Sequence, residues 1–301
     1  PTHSYMKALY KYPQAAFPYV QLVAENRRRG LDDPEFEITD TGVFDEHRYF
    51  DVGVEYAKGS PNDMLVRITV ANRGPETACL DLLPTLWFRN TWAWGRSGEG
   101  YWRKGKISKV AAGMVEAEHP SLERMRLSAE SHEGRAPELL FTENETNGEC
   151  LFQGPNATPY VKDAFHACVV DGRRDAVNPA GFGTKVAAHY RLEIPAGGEV
   201  TVRLRLSSVD EAPRTPFGRD FERVFEERLR EADAFYAARS PATLSTDELR
   251  VIRQGYAGLL WSKQYYHYVV KDWLEGDPAQ PPPSPARREG RNHDWRHLYN
   301  R

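Results

Sequence analysis

Cysteine is scarce in this 301-residue chain. Cys79, Cys150 and Cys168 are odd in number and far apart, which excludes a paired disulfide framework and a CxxC metal knuckle. That usage suits a reducing compartment, so a cytoplasmic location is expected. Long apolar runs are also missing. Nothing approaches the roughly 18 residues needed to span a bilayer, and residues 1–12 lack the basic start and apolar middle of a signal peptide. No membrane partner is expected, although a chain that begins with Pro1 leaves room for a missing preceding segment.

Charge of one sign is lacking as well. Lys and Arg number 40 against 43 Asp and Glu, for a formal net charge of -3, and no local run supplies the basic face that grips phosphates. Nucleic acid is therefore not an expected partner. The sequence has no GxGxxG after a strand, no GxxxxGK[ST], no GxSxG and no HExxH. Nucleotide binding, a hydrolase elbow and a zincin site are thus without support, and no cofactor is expected.

What is present is alternation. Met64, Val66, Ile68 and Val70 interleave with Leu65, Arg67 and Thr69, and Val200, Val202, Leu204 and Leu206 interleave with Thr201, Arg203 and Arg205. A period of two turns one face of each strand to a core and the other to water. Residues 52–57, 80–88, 122–127 and 186–194 read as further strands. Turn-rich pieces such as Asn72-Arg73-Gly74-Pro75 and Pro195-Ala196-Gly197-Gly198 separate them. Many short strands with no helices between them imply antiparallel sheets packed face to face, a β-sandwich.

After Pro216 the period becomes 3.6. Phe221, Val224, Phe225, Leu229, Ala232, Phe235 and Tyr236 fall on one helical stripe, with Asp220 and Glu222 near its start and Arg239 near its end. A second helix is predicted from Ser245, where Ser245 and Glu248 have capping-box spacing; Leu249, Ile252, Tyr256 and Leu259 carry its apolar face, and it is expected to run to about Leu274. Gly276-Asp277-Pro278 ends it, and Pro281-Pro282-Pro283-Ser284-Pro285 reads as a stiff extended linker. Trp295, Leu298 and Tyr299 then need a partner surface just before the sequence stops, so truncation is expected at this end. The organisation is therefore a β-sandwich over 1–215, a helical linker over 216–290, and the start of another domain over 291–301.

Candidate functional residues are few. His166, His189, His267, His293 and His297 are scattered. His293 and His297 have the i, i+4 spacing of two ligands on one helical face, but no third ligand accompanies them; they read as packing or hydrogen-bonding residues, and no metal site is expected. Asp40, Asp45, Asp51, Glu143, Glu145 and Asp163 lie in or beside the β region. A glycosidase needs two carboxylates facing each other across a sugar, and spacing in the sequence does not reveal such a pair, so no catalytic residue is assigned. The segment Leu86-Trp87-Phe88-Arg89-Asn90-Thr91-Trp92-Ala93-Trp94-Gly95 is more distinctive. Arg89, Asn90, Trp92 and Trp94 combine aromatic faces with planar hydrogen-bonding groups, the chemistry that holds sugars. The same tryptophans would equally fill a core or a domain contact. Tyr265, Tyr266, His267, Tyr268 and Trp273 pose that choice again, with packing favoured.

Several strings together resemble bacterial members of glycoside hydrolase family 63, relatives of mannosyl-oligosaccharide glucosidase. They are Pro1-Thr2-His3-Ser4-Tyr5-Met6-Lys7, Tyr12-Pro13-Gln14-Ala15-Ala16-Phe17-Pro18-Tyr19, Asp40-Thr41-Gly42-Val43-Phe44-Asp45, Tyr49-Phe50-Asp51-Val52, Leu83-Pro84-Thr85-Leu86-Trp87-Phe88-Arg89-Asn90-Thr91-Trp92 and Trp295-Arg296-His297-Leu298-Tyr299-Asn300. The resemblance implies an N-terminal sandwich, supersandwich-like and incomplete at its front, joined by linker helices to an (α/α)6 catalytic barrel that begins near Trp295. It implies inverting hydrolysis of α-glucosidic bonds in oligosaccharides, by an Asp acid and a Glu base that both belong to the barrel. On this reading the 301 residues by themselves are inactive, and their partners are an oligosaccharide and the barrel of the same polypeptide. A non-catalytic carbohydrate-binding or scaffold module is the alternative.

Overall fold

The computed structural model describes residues 3–241, 243–262 and 266–300. The strands are β1 (Tyr5–Pro13), β2 (Tyr49–Ser60), β3 (Asp63–Asn72), β4 (Ala78–Leu82), β5 (Thr85–Trp87), β6 (Lys106–Ala111), β7 (Met114–His119), β8 (Leu122–Ala129), β9 (Glu138–Thr142), β10 (Phe182–Gly183), β11 (Lys185–Ile194), β12 (Glu199–Ser208), β13 (Tyr268–Val269) and β14 (Tyr299–Asn300). The helices are α1 (Tyr19–Arg28), α2 (Gly148–Phe152), α3 (Ala164–Val169), α4 (Arg219–Ala237), α5 (Thr246–Trp261) and α6 (Val270–Glu275).

The fold is mainly β and antiparallel. An eight-stranded sheet in the order β1-β2-β3-β12-β8-β7-β6-β10 faces a smaller sheet in which β11 is central, with β9 on one side and β4 and β5 on the other. The alternation read from the sequence sets the register. Val70 sits opposite Val200, Ile68 opposite Val202, and Val66 opposite Leu204, so the apolar sets of β3 and β12 share one face. That face supplies Ile68, Val70, Val202 and Leu204 to the core, and the smaller sheet answers with Phe141, Val186, Tyr190, Leu192 and Ile194.

The odd-numbered positions of β3 face the other way. There Leu65, with Tyr5 and Ala57, meets Phe221, Val224, Phe225 and Ala232 of α4, so the large sheet has a second, smaller core on its outer side. A buried ion pair pins this corner: Arg205 grips Asp63 through Nε (2.8 Å) and Nη2 (2.6 Å) and donates from Nη1 to the Pro216 carbonyl at 3.2 Å. Gly59 leaves room for it, since a Cβ there would lie 2.2 Å from an Asp63 oxygen and force the pair to shift.

Four expectations need correction. Residues 80–88 are two strands, because Pro84 has no N–H to give to the ladder; its carbonyl still accepts from the Ala188 N–H at 3.0 Å, so β4 and β5 run along the same side of β11 as one interrupted strand. The second helix keeps its capping box, Ser245 Oγ accepting from Glu248 N and Ser245 N donating to Glu248 Oε2, but it ends at Trp261. Tyr268 and Val269 form β13 against β14, and α6 is a separate helix closed by Gly276 at φ 79°. The proline linker closes with a 3-10 turn over Pro285–Arg288, where proline is tolerated at the first helical position. Finally, the strands do have helices between them, α2 and α3 between β9 and β10. His293 and His297, by contrast, pack and hydrogen-bond as expected: the His297 ring stacks on Trp295, and His293 Nδ1 donates to the Gly290 carbonyl at 2.7 Å.

Candidate functional site

The tryptophan-bearing segment leaves β5 and crosses to β6 over the end of the smaller sheet. Phe88 N still bonds to the Thr184 carbonyl at 3.0 Å, and Asn144 Nδ2 donates to the Phe88 carbonyl at 2.9 Å. Asn90 then organises the turn. Its Oδ1 accepts from Ala93 N at 3.1 Å, which starts the 3-10 turn Trp92–Trp94, and Gly95 at φ 72° ends that turn in the left-handed region that glycine tolerates.

Glu145 holds the turn from behind. Its Oε2 accepts from Asn90 Nδ2 at 2.9 Å, and its Oε1 accepts from Trp92 Nε1 at 2.5 Å. Glu143 lies beside it, accepting from Thr184 Oγ1 at 2.6 Å, while Lys104 Nζ sits 3.1 Å from Glu143 and 4.0 Å from Glu145. The two carboxylates are thus bridged by one ammonium, 6.0 Å from the Trp92 ring centroid. Both oxygens of Glu145 are spent on fixing the turn, so this carboxylate acts as a brace.

Of the predicted site residues, Asn90 and Trp92 meet on Glu145, and Arg89 and Trp94 meet each other. The Arg89 guanidinium lies 5.8 Å from the Trp94 ring centroid, and Tyr101 packs edge-on against Trp94 at 6.0 Å. Trp92 and Trp94 are half-buried and Arg89 is exposed. The turn is also a contact between distant parts of the chain: the Trp94 carbonyl accepts from Ala279 N (3.1 Å), and the Ala93 carbonyl accepts from Gln280 Nε2 (2.7 Å). Next to it opens a cleft of about 450 Å³ lined by Arg96, Glu275, Asp277, Gln280 and Pro282 among others.

The remaining candidates go elsewhere. Asp40 accepts from Glu37 N at the start of a 3-10 turn, Asp45 opens another such turn, and Asp163 precedes α3 and accepts from Asn147 Nδ2. Asp51 is held below the usual carboxylate value; burial opposes this, but hydrogen bonds from Lys11 and Arg73, each at 2.7 Å, outweigh it. Of the six carboxylates singled out in the sequence, Glu143 and Glu145 are the pair drawn to the turn. Tyr265 lies outside the described residues; Tyr266 and Tyr268 pack with ring centroids 5.8 Å apart, and Trp273 lies under the Arg287 guanidinium. Among the described residues no group of three or more ligands could hold a metal ion, and no helix is long and apolar enough to cross a membrane.

A second cleft, of about 460 Å³, lies on the outer face of the large sheet between Arg67, Arg203, Glu130 and Glu222. Its charges are mutually satisfied. Arg203 Nη1 donates to Glu222 at 2.7 Å and Nε to Glu130 at 2.8 Å, and Arg67 Nε donates to Glu55 at 2.9 Å. Lys104, Tyr101, Arg96 and Gln280 were not legible as site residues, because what brings them to the turn is tertiary contact and not spacing.

A yeast protein is similar in sequence to this chain. The uncharacterized protein YMR196W of Saccharomyces cerevisiae is 38% identical over 348 residues, an alignment that takes in 99% of this chain and 31% of the relative. The chain thus spans about a third of the length of the curated relative it matches. No known family profile matches the chain. Among solved structures, a provisionally assigned kojibiose phosphorylase from the human microbiome is similar at TM-score 0.25 and 9% identity, over 70% of this chain and 21% of that one. A provisionally assigned aldose 1-epimerase from Escherichia coli K12 is similar at TM-score 0.32 and 8% identity, over 69% and 66% of the two chains. The polysaccharide lyase BACCELL_00875 is similar at TM-score 0.31 and 10% identity, over 59% and 22%. Likenesses this remote assign neither a reaction nor a substrate.

Proposed function

We propose that this chain is the N-terminal portion of a glycoside hydrolase resembling the α-glucosidases of family 63, with the catalytic acid and base outside these 301 residues. The observation that carries this reading is the state of the two carboxylates nearest the tryptophans. An inverting glycosidase needs one carboxyl group to protonate the leaving oxygen and a second, on the opposite face of the sugar, to activate water. Glu145 has both oxygens engaged by Asn90 and Trp92, and Glu143 is bound by Thr184 and Lys104. Neither is free for that work. The family strings in the sequence, the order of sandwich then helices, and a curated relative of which this chain spans 31% support the same reading.

In this assignment the Trp92–Trp94 turn is a sugar-facing edge of the sandwich. Trp92 and Trp94 present half-exposed aromatic faces to C–H patches, Arg89 supplies planar donors for hydroxyls, and Asn90 is a residue of the same edge whose amide is spent on shaping it. The oligosaccharide and the catalytic barrel of the same polypeptide are the partners. The test compares the 301-residue chain with a longer form carrying the downstream sequence, both assayed against α-linked glucosyl disaccharides. The shorter chain should give no turnover and the longer one should. Turnover by the 301 residues that disappears in Glu143→Gln or Asp45→Asn would move the active site into the sandwich and overturn the assignment. Half-exposed tryptophans beside an exposed arginine also suit a second reading, a non-catalytic carbohydrate-binding or scaffold module. Sugar binding without turnover in both forms would favour it.

A further inference from the structure

The tryptophan turn has two sets of anchors on opposite sides of the sequence. Asn90 and Trp92 tie it to the sandwich through Glu145. The other set comes from α6 and the segment after it, about 180 residues later. Arg96 directs its whole guanidinium there: Nε donates to Asp277 Oδ1 at 2.8 Å, Nη2 to the Gly276 carbonyl at 2.9 Å, and Nη1 lies 3.1 Å from Asp272. These three bonds diverge from one planar fork, a geometry that a lysine ammonium on a flexible stem does not reproduce. Gly95 sits between Arg96 and the turn, and a Cβ on it would lie 2.8 Å from both the Cβ and the backbone nitrogen of Ala279. The two backbones are therefore in direct contact at this point.

We propose that Arg96 is a positioning residue, fastening the Trp94 side of the turn to residues 272–280, so that sugar binding at the turn depends on a side chain that does not touch the sugar. The second half rests on the reading of the turn as a sugar-facing edge; the fastening itself does not. Without Arg96 the Trp94 side is tied to residues 272–280 only by the neutral bonds from Ala279 N and Gln280 Nε2, which are weaker than the charge-assisted ones it loses, while Asn90 and Glu145 still hold the Trp92 side. A binding surface that must first be ordered loses affinity in proportion to the fraction of time it is disordered.

The test uses the full 301-residue chain, with amide hydrogen exchange of residues 92–96 and 276–280, tryptophan fluorescence titrated with maltose, and the melting temperature of the sandwich. Arg96→Met should remove exchange protection in both segments together and weaken maltose binding by about tenfold, because a turn that is open about nine-tenths of the time binds with about a tenth of its intrinsic affinity. The sandwich should melt unchanged. Arg96→Lys should behave like Arg96→Met; recovery by lysine would show that charge and not the fork is what matters, and would overturn the role. Gly95→Ala attacks the same contact from the other side and should give the same joint loss of protection. Unchanged protection at 276–280 in both Arg96→Met and Gly95→Ala overturns the fastening. Lost protection with undiminished maltose affinity overturns the dependence of binding on it. If the unaltered chain binds no maltose, the sugar-facing reading fails and the dependence falls with it, while the exchange data still decide the fastening.

Discussion

The central strand of the smaller sheet and helix α5 are built from similar amounts of apolar side chain and end in opposite environments. Over ten residues β11 buries Val186, Ala187, Ala188, Tyr190, Leu192 and Ile194. Over sixteen residues α5 buries none, and Val251 and Leu259 are each 72% exposed. Both patterns were readable as apolar faces. The difference is that β11 has a sheet on one side and α3 on part of the other, whereas α5 has only partial cover, with Ile252, Ala257 and Leu260 half-buried and Arg253 lying over Tyr236 of α4. Apolar periodicity names the face that gains from burial, and only a second surface delivers the gain.

The comparison can be broken at several depths. Phe141→Ala, in the core between the sheets, should cost about 3–5 kcal/mol, read by equilibrium urea unfolding. A cost below about 1 kcal/mol would mean that the two sheets are not packed as one core. Removing one partner of the buried ion pair, as in Arg205→Met or Asp63→Asn, should also cost about 3 kcal/mol, since the remaining charge has no compensation. Changing both to apolar residues of similar volume should recover most of that loss, which would separate the price of an orphaned charge from the worth of the pair.

Smaller effects are expected where the chain is less buried. Ser245→Ala removes the capping box at the start of α5 and should cost about 1 kcal/mol of helix stability, seen as lost helical circular dichroism. At the edge of the large sheet Asp51 joins Lys11 of β1 to Arg73. Its folded-state carboxyl is held below its ordinary value of 3.8, so its contribution is complete above that value and disappears as the pH falls through the lower folded one. Asp51→Asn should flatten this acid limb, with an effect at neutral pH of about 1 kcal/mol or less. Smallest of all, Leu259→Ala on α5 should stay within about 0.5 kcal/mol in the 301-residue chain. In a longer form in which α5 is covered, the same change should cost about 2–5 kcal/mol, and that contrast sharpens the comparison most.

Much of the fold was legible because its signals are local. A period of two in residues 64–70 and 200–206 determined which side chains of β3 and β12 share a face, and a period of 3.6 after Pro216 placed Phe221, Val224 and Phe225 on the buried side of α4. Ser245 with Glu248 three residues later announced a helix start by hydrogen-bonding geometry alone. Where local signals competed, the reading failed. Pro84 split one expected strand, and Tyr268–Val269 form β13 where the helix was expected to continue, because their partner Tyr299–Asn300 lies some thirty residues away.

The site divides in the same way. The sequence by itself determined that Arg89, Asn90, Trp92 and Trp94 fall within six residues of one another at the end of a strand. Tertiary structure decided what stands behind and beside them. Glu145 reaches Trp92 from 53 residues away and Asp277 reaches Arg96 from 181, and no spacing rule connects positions that meet only after two sheets and a helical segment have packed. Hydrogen-bond donors and acceptors announce their chemistry in the sequence, but which donor satisfies which acceptor is settled by the fold, because a buried polar group takes whatever partner the packing brings within reach.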